Sequence, residues 1–258
     1  MRQRATAFVL IACGLFAACT PAASPAPAAR VAQAAPSASG APSAAASGYA
    51  DIPRSRDGIG KAYEGREIAG VMGWQGAAWL EREEREREEN IGLLVRELAI
   101  TPGMAVADIG AGTGYVSRRI APLVGPSGKV FAVDVQPQMV AMLKQVAARP
   151  EFANIAPVQG GERDPSLAPG SIDLAVMVDV YHELAYPAEM LDAIVRSLKP
   201  GGRVAFVEYR AEDEDVPIKP VHKMSEAQVK REAALHGLTW QRTATSLPWQ
   251  HVVVFEKR

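Results

Sequence analysis

Two short stretches of this chain concentrate groups that can do chemistry. The first is Val106-Ala107-Asp108-Ile109-Gly110-Ala111-Gly112-Thr113-Gly114-Tyr115, an apolar strand that ends in an acid and runs into a glycine-rich turn. Glycine lacks Cβ, accepts positive φ and lets a ligand lie against bare backbone. A helix opening just beyond, near Thr113, adds free N–H groups. The second is Asp179-Val180-Tyr181-His182-Glu183-Leu184. The imidazole of His182, with an unperturbed pKa near ~6.5, can take a proton from a nucleophile, and Tyr181 or Glu183 can orient it. A plainer reading stays open, in which Glu183 caps the next helix and His182 packs beneath a ligand; Asp179 supports the loop. Glu208-Tyr209-Arg210 and Pro220-Val221-His222-Lys223-Met224 are further candidates for a pocket edge, and His251 is a weaker one. A cation held by His182, Glu183, Glu208 and His222 is conceivable, but no ligand spacing specifies it and no metal is assigned.

These loops need a frame. Periodicity predicts strands over Met104–Ile109, Val130–Val135, Ile155–Gln159, Ser171–Val180 and Arg203–Tyr209. Helices are predicted over Val116–Val124, Gln138–Ala148, Pro187–Leu198 and Ser225–His236. Lys199-Pro200-Gly201-Gly202 is read as the stop of the third helix, and Ser225 with Gln228 as a capping box. Leu238–Ser246 and His251–Lys257 read as an antiparallel hairpin. Strand–helix alternation predicts an α/β fold with a parallel sheet, whose ligands bind at the carboxyl ends of the strands. A dinucleotide fingerprint, G-x-G-x-x-G, would need glycine where Tyr115 stands, so nicotinamide cofactors are disfavoured.

Upstream, residues 50–100 are read as a helical N-terminal cap. The run Glu81-Arg82-Glu83-Glu84-Arg85-Glu86-Arg87-Glu88-Glu89 is expected to be a solvated helix with Glu81/Arg85 and Glu83/Arg87 at i, i+4, worth roughly 0.2–0.5 kcal/mol each. That helix is expected to continue through Ile91, Leu93, Leu94 and Leu98 until Thr101-Pro102-Gly103. Tyr63, Arg66, Trp74 and Trp79 are candidates for a lid or, equally, for packing.

From about Leu93 to the C-terminus the chain resembles the class I S-adenosylmethionine-dependent methyltransferases, whose first motif is an apolar strand, an acid and G-x-G-x-G, matched by Asp108 through Gly114. The resemblance implies a Rossmann-like, doubly wound, seven-stranded, mostly parallel sheet over residues 101–258, ending in an antiparallel hairpin. It implies S-adenosylmethionine as cofactor, held by Asp108, Gly110, Gly112, Gly114, Asp134, Val135, Glu162 and Asp179. The glycine turn would lie against the methionine part, and Asp134, ending Lys129-Val130-Phe131-Ala132-Val133-Asp134, would hold the ribose hydroxyls. After the third strand the family places an acid near the adenine amino group; here Gly161 stands at that place, leaving Glu162 or a backbone amide. The loop carrying Tyr181, His182 and Glu183 would face the transferred methyl. The implied activity is methyl transfer to an unidentified, small-molecule acceptor. A protein methyltransferase of the isoaspartyl-repair kind, whose turn Gly112-Thr113-Gly114-Tyr115 resembles, and a non-catalytic binding protein are the alternatives.

Composition narrows the partners. The 258 residues carry a formal net charge of -1, which provides no basic footprint for nucleic acid. Arg2 and Arg4 precede an apolar run from Ala5 to Ala18 with the length of a signal-peptide core. Leu15-Phe16-Ala17-Ala18-Cys19 resembles a bacterial lipobox, with Leu10-Ile11-Ala12-Cys13 as a competitor. Residues 1–19 are therefore expected to direct export to the periplasm with membrane attachment through lipidated Cys19; a plain secretory signal cut further on and an apolar tail retained in the cytoplasm are the alternatives. Residues 20–49, nearly all Ala, Pro, Ser and Gly, read as a disordered tether. Cys13 and Cys19 are the only cysteines, so the expected domain has no disulfide and no Cys-ligated metal.

Overall fold

The computed structural model describes residues 48–258, which fall in one compact unit. The expected export segment, Cys13, Cys19 and almost the whole tether lie outside the described residues.

The main sheet is built on β4 (Ala105–Ile109), β5 (Lys129–Asp134), β6 (Ile155–Gln159), β7 (Ile172–Val178) and β8 (Leu198–Arg210), with β10 (Leu238–Ala244) and β11 (Gln250–Lys257) at its far edge. Its order is β10-β11-β8-β7-β4-β5-β6. β4 through β8 are mutually parallel, and β11 runs antiparallel to both β8 and β10. This is the doubly wound, mostly parallel α/β architecture the strand–helix alternation predicts. An eighth, two-residue strand, β9 (Lys223–Met224), pairs with the end of β8. One expectation changes here: Lys199-Pro200-Gly201-Gly202 lies inside β8, and the helix before it, α6 (Pro187–Ser197), ends one residue earlier.

Alternating side chains of the central strands feed two cores. Val106, Leu174, Val176 and Val207 face α3 (Ile91–Glu97), α4 (Ser117–Val124) and α5 (Pro137–Ala147). Ala107, Met177, Val204 and Phe206 face α6 and α7 (Glu226–Ala234). A strand buried on both sides needs an almost continuous apolar run, which Ile172–Val178 supplies, and each fully buried Leu, Ile or Val contributes roughly 1.5–3 kcal/mol. Ser225 caps α7 by accepting the Gln228 N–H, but the Gln228 side chain turns to Glu64 O and Glu232, so the box is half formed.

The extension before β4 is not the helical cap expected. It opens with a three-stranded antiparallel sheet of β1 (Tyr49–Asp51), β2 (Gly58–Tyr63) and β3 (Arg66–Ala69). The β2–β3 turn is Glu64-Gly65, both at positive φ (49° and 82°), a two-residue turn whose twist suits a hairpin. The sheet is tied to the main body by the Lys61 ammonium on Ala185 O (2.8 Å) and by Arg66 on Glu232 (2.9 and 3.0 Å).

The acidic–basic run is likewise not one solvated helix. A short helix α1 (Ala77–Leu80) precedes it, and the run and its apolar continuation split into α2 (Arg85–Glu89) and α3, with Asn90 left-handed (φ 51°) between these two, its side chain accepting the Leu93 N–H. The break turns Arg85 and Glu89 inward. Both are buried and paired at 2.8 Å, and Arg82 reaches the same Glu89 at 2.6 Å. Glu81, expected opposite Arg85, instead takes Arg118 of α4 through both oxygens. A carboxylate taken out of water needs such partners, so the run contains an internal ion-pair cluster and not merely a wetted face.

Candidate active site

The turn after β4 is positioned by its neighbours. The N–H groups of Gly110 and Ala111 donate to Val133 O at 2.8 and 2.9 Å, bending the turn over the end of β5. Asp134, ending β5, accepts the Gly112 N–H at 2.9 Å and the Gln136 N–H at 2.8 Å, one on each carboxylate oxygen. Gly110, Gly112 and Gly114 all have positive φ (72°, 56° and 83°). A Cβ on Gly110 would stand 2.6 Å from Val180, and one on Gly112 would stand 2.7 Å from the tip of Leu80, which closes over the turn from the extension. A Cβ on Gly114 would meet Leu143 of the core. Gly114 therefore shapes the turn and does not line the cavity.

Asp108 lies beneath, accepting the Ser117 hydroxyl at 2.6 Å. Burial pushes its carboxyl up to about 6, against the pull of the Ser117 hydroxyl and of Arg85. The folded chain then keeps this proton over a window in which the unfolded chain has lost it. Stability is full below the ordinary carboxylate value of 3.8 and falls as pH rises to about 6. We expect Asp108→Asn to lack this loss, so that between about pH 4 and about pH 7 wild type declines relative to the variant by on the order of 3 kcal/mol. Denaturant melts at both pH values measure it; a pH-independent difference would mean that Asp108 ionises as readily in the fold as out of it.

A cavity of about 480 Å³ opens above the turn. Gly110, Gly112, Asp134 and Val135 line it, as do Met139, Gly161 and Glu162. Burial raises the Asp134 pKa, opposed by the N–H groups of Gln136 and Gly112. Val71, Met72, Trp79 and Leu80 of the extension and Arg85 close over it. Of the lid candidates only Trp79 lines the cavity. Tyr63 is buried against His236, Arg66 is buried on Glu232, and Trp74 uses its N–H on Gln136.

The second chemical stretch lines the same cavity, with Val180 against Gly110 of the turn. Asp179 follows β7 in the left-handed region (φ 54°), and a 3-10 turn carries Tyr181–Glu183. Asp179 is half-buried, with Oδ2 on the Gln250 amide and an enclosed Oδ1 that has no partner among the described residues. Burial, with Glu89 and Glu208 nearby, pushes its carboxyl well up.

His182 Nδ1 lies 2.5 Å from Glu208 Oε2, while Glu208 Oε1 accepts the Tyr181 N–H at 2.9 Å. Burial drives the imidazole down to about 3, leaving it neutral, and drives Glu208 up to about 8. His182 Nε2 faces His222 Nδ1 at 3.2 Å, and Glu183 Oε1 lies 3.6 Å from that same Nδ1. His182, Glu183 and His222 all line the cavity.

Tyr181 does not. It is wholly buried, edge-on to Phe206 at 4.9 Å between ring centroids, so the expectation that it orients a substrate is corrected: an aromatic ring at that register completes the core on the α6–α7 side. Glu183 does not cap the next helix; its carboxylate takes the Met72 N–H at 3.4 Å. His251 is buried off the cavity. The sequence reading missed the inward Arg85–Glu89 pair and Leu80. The i, i+4 spacing of Arg85 and Glu89 was the available signal, but nothing in that charged run distinguishes a buried pair from a solvated one.

Residues 107–204 match the methyltransferase domain family. The chain is 31% identical over 108 residues to an arsenite methyltransferase of Halobacterium salinarum, covering 42% of this chain and 28% of that protein. It is 29% identical over 125 residues to protein-L-isoaspartate O-methyltransferase 1 of Arabidopsis thaliana, covering 44% and 50%. The chain thus spans half or less of these curated relatives. Among solved structures, an S-adenosylmethionine-dependent methyltransferase from Aquifex aeolicus superposes with a TM-score of 0.69 at 23% identity, covering 73% of this chain and all of that one. At this identity the structural likeness speaks for the fold alone. In sequence, residues 107–204 are a match to the methyltransferase domain, and the sheet that carries them has the fold of a methyltransferase of known structure.

Proposed function

We propose that this protein transfers the methyl group of S-adenosylmethionine to a small-molecule acceptor. The observation that carries the reading is one cavity lined by both chemical stretches, the glycine turn with Asp134 and the loop group His182, Glu183 and His222. The residues present suit the cofactor. A cavity of about 480 Å³ lies within the usual range for ligands of that size. Each Asp134 oxygen has one protein N–H partner and retains a lone pair for a ribose hydroxyl. Val135 and Met139 offer an apolar wall to the adenine, and Gly161 or Glu162 a polar edge. The unpartnered Asp179 Oδ1 supplies an acceptor for the methionine ammonium. When bound, S-adenosylmethionine supplies an electrophilic sulfonium methyl.

The protein's share is alignment and, where the nucleophile carries a proton, its removal. The extension excludes water through Met72, Trp79 and Leu80, and the His182 end receives the acceptor. The enclosure favours a small molecule. Similarity to the Arabidopsis enzyme keeps a protein acceptor as second reading. Incubating the full chain with S-adenosylmethionine and pooled small molecules, peptides or no acceptor, and measuring S-adenosylhomocysteine, separates the two from mere binding.

Asp134→Ala is expected to weaken S-adenosylhomocysteine by roughly 10–150-fold, the loss of charge-assisted hydrogen bonds worth about 1.5–3 kcal/mol. Calorimetry checks it, and unchanged affinity would remove Asp134 from the site.

A further inference from the structure

We propose that His182, Glu183 and His222 bind a divalent transition-metal ion at the acceptor end of the cavity. One nitrogen or oxygen from each lies within 4.8 Å of the others. Two of the separations are close to a coordination polyhedron: 3.2 Å between His182 Nε2 and His222 Nδ1, and 3.6 Å between His222 Nδ1 and Glu183 Oε1. Metal–ligand bonds of about 2.0–2.2 Å at tetrahedral angles place neighbouring ligand atoms about 3.3–3.6 Å apart. The ligand types, two imidazoles and a carboxylate, suit Zn²⁺ and its first-row neighbours better than Mg²⁺, which prefers all-oxygen sites.

The surroundings agree independently. Glu208, wholly buried, holds His182 Nδ1 at 2.5 Å, and the Tyr181 N–H fixes its other oxygen. With Nδ1–H donating to Glu208, Nε2 presents its lone pair to the cavity, the carboxylate–histidine arrangement that orients metal ligands. Two carboxyl groups, Glu183 as ligand and Glu208 behind His182, are placed to balance an incoming dication. The ligands come from separate loops, the 3-10 turn after β7 and the one at Pro220–His222 that precedes β9. Three protein ligands at a cavity wall leave the remaining position facing the space where an acceptor would sit, as in catalytic and not structural sites.

The site stands on geometry alone; its part in the reaction rests on the methyltransferase reading. An acceptor thiol or hydroxyl ligated there has its pKa lowered and releases its proton to water. Its lone pair then forms the bond to the methyl carbon as the sulfonium C–S bond breaks, and the donor leaves as neutral S-adenosylhomocysteine.

The test uses the full chain, stripped with chelator and dialysed against Zn²⁺, with bound metal measured by elemental analysis and affinity by calorimetry. About one Zn²⁺ per chain is expected in wild type beyond that held by His222→Ala, a comparison that subtracts any metal on Cys13 or Cys19. Glu208→Gln should weaken Zn²⁺ by roughly 10–100-fold, and excess Mg²⁺ should not displace it. Apo-state melting shows whether each variant is folded. Equal Zn²⁺ in wild type and in folded His222→Ala and Glu183→Gln, or displacement by Mg²⁺, overturns the proposal. S-adenosylhomocysteine titrated in parallel reports on the cofactor site: retained cofactor binding without Zn²⁺ refutes the metal site alone, and Zn²⁺ without cofactor binding supports the metal site while refuting the methyltransferase reading.

Discussion

Replacing His182 by alanine is expected to lower the single-turnover rate of methyl transfer by roughly 10²–10⁴-fold while S-adenosylhomocysteine binds nearly as in wild type. His182 lines the cavity but bonds to Glu208 and His222 and not to Asp134 or the glycine turn, so its loss leaves the Gly112–Asp134 contact intact. What disappears is the nitrogen that faces the acceptor, together with the Glu208 bond that holds the ring still. Tyr181→Phe is the control. One residue away but packed on Phe206 outside the cavity, it should leave the rate close to wild type. A wild-type rate in His182→Ala would move the chemistry to Glu183, His222 or Tyr209, which line the same cavity.

Gly112→Val should weaken S-adenosylhomocysteine by roughly 10²–10⁴-fold. Two costs combine. A β-branched residue at φ 56° is strained by about 1–3 kcal/mol, and a Cβ 2.7 Å from Leu80 forces either the turn or the extension to shift, a further ~1–3 kcal/mol. The free protein relieves both by letting the turn relax. Binding must restore the turn, and with it the Gly112 N–H that holds Asp134, so the cost is read in affinity. The geometry directs the added branch at Leu80, the residue that covers the turn. Calorimetry on Gly112→Val and on Gly112→Val with Leu80→Ala tests this. Partial recovery in the double variant is expected, with the backbone strain remaining, and normal binding by the single variant would make the turn merely structural.

Local chemistry made much of this protein legible in its sequence. The run Val106–Gly114 encodes strand, acid and turn together because a buried parallel strand needs apolar residues and the turn needs glycine. The succession of β4 to β8 along the chain follows from the same alternation, and Ile155–Gln159 was bounded to the residue. The charged run at 81–89 and the hairpin at 58–69 were not legible. A Glu/Arg repeat has the same i, i+4 pattern whether its partners are water or each other, and only the fold decides that Arg85 and Glu89 point inward. Glu64-Gly65 is a weak turn signal without neighbouring strands to close it. The approach of His222 to His182 was also beyond the sequence. They are 40 positions apart on two loops with no ligand spacing between them. What brings them to 3.2 Å is the pairing of β7 with β8, which sets the ends of two parallel strands side by side and so turns distant residues into neighbours. Periodicity and turn chemistry act over a few residues, and determined the elements and the cofactor turn; the meeting of His182, Glu183, His222 and Glu208 is a property of strand order, and only the tertiary structure decided it.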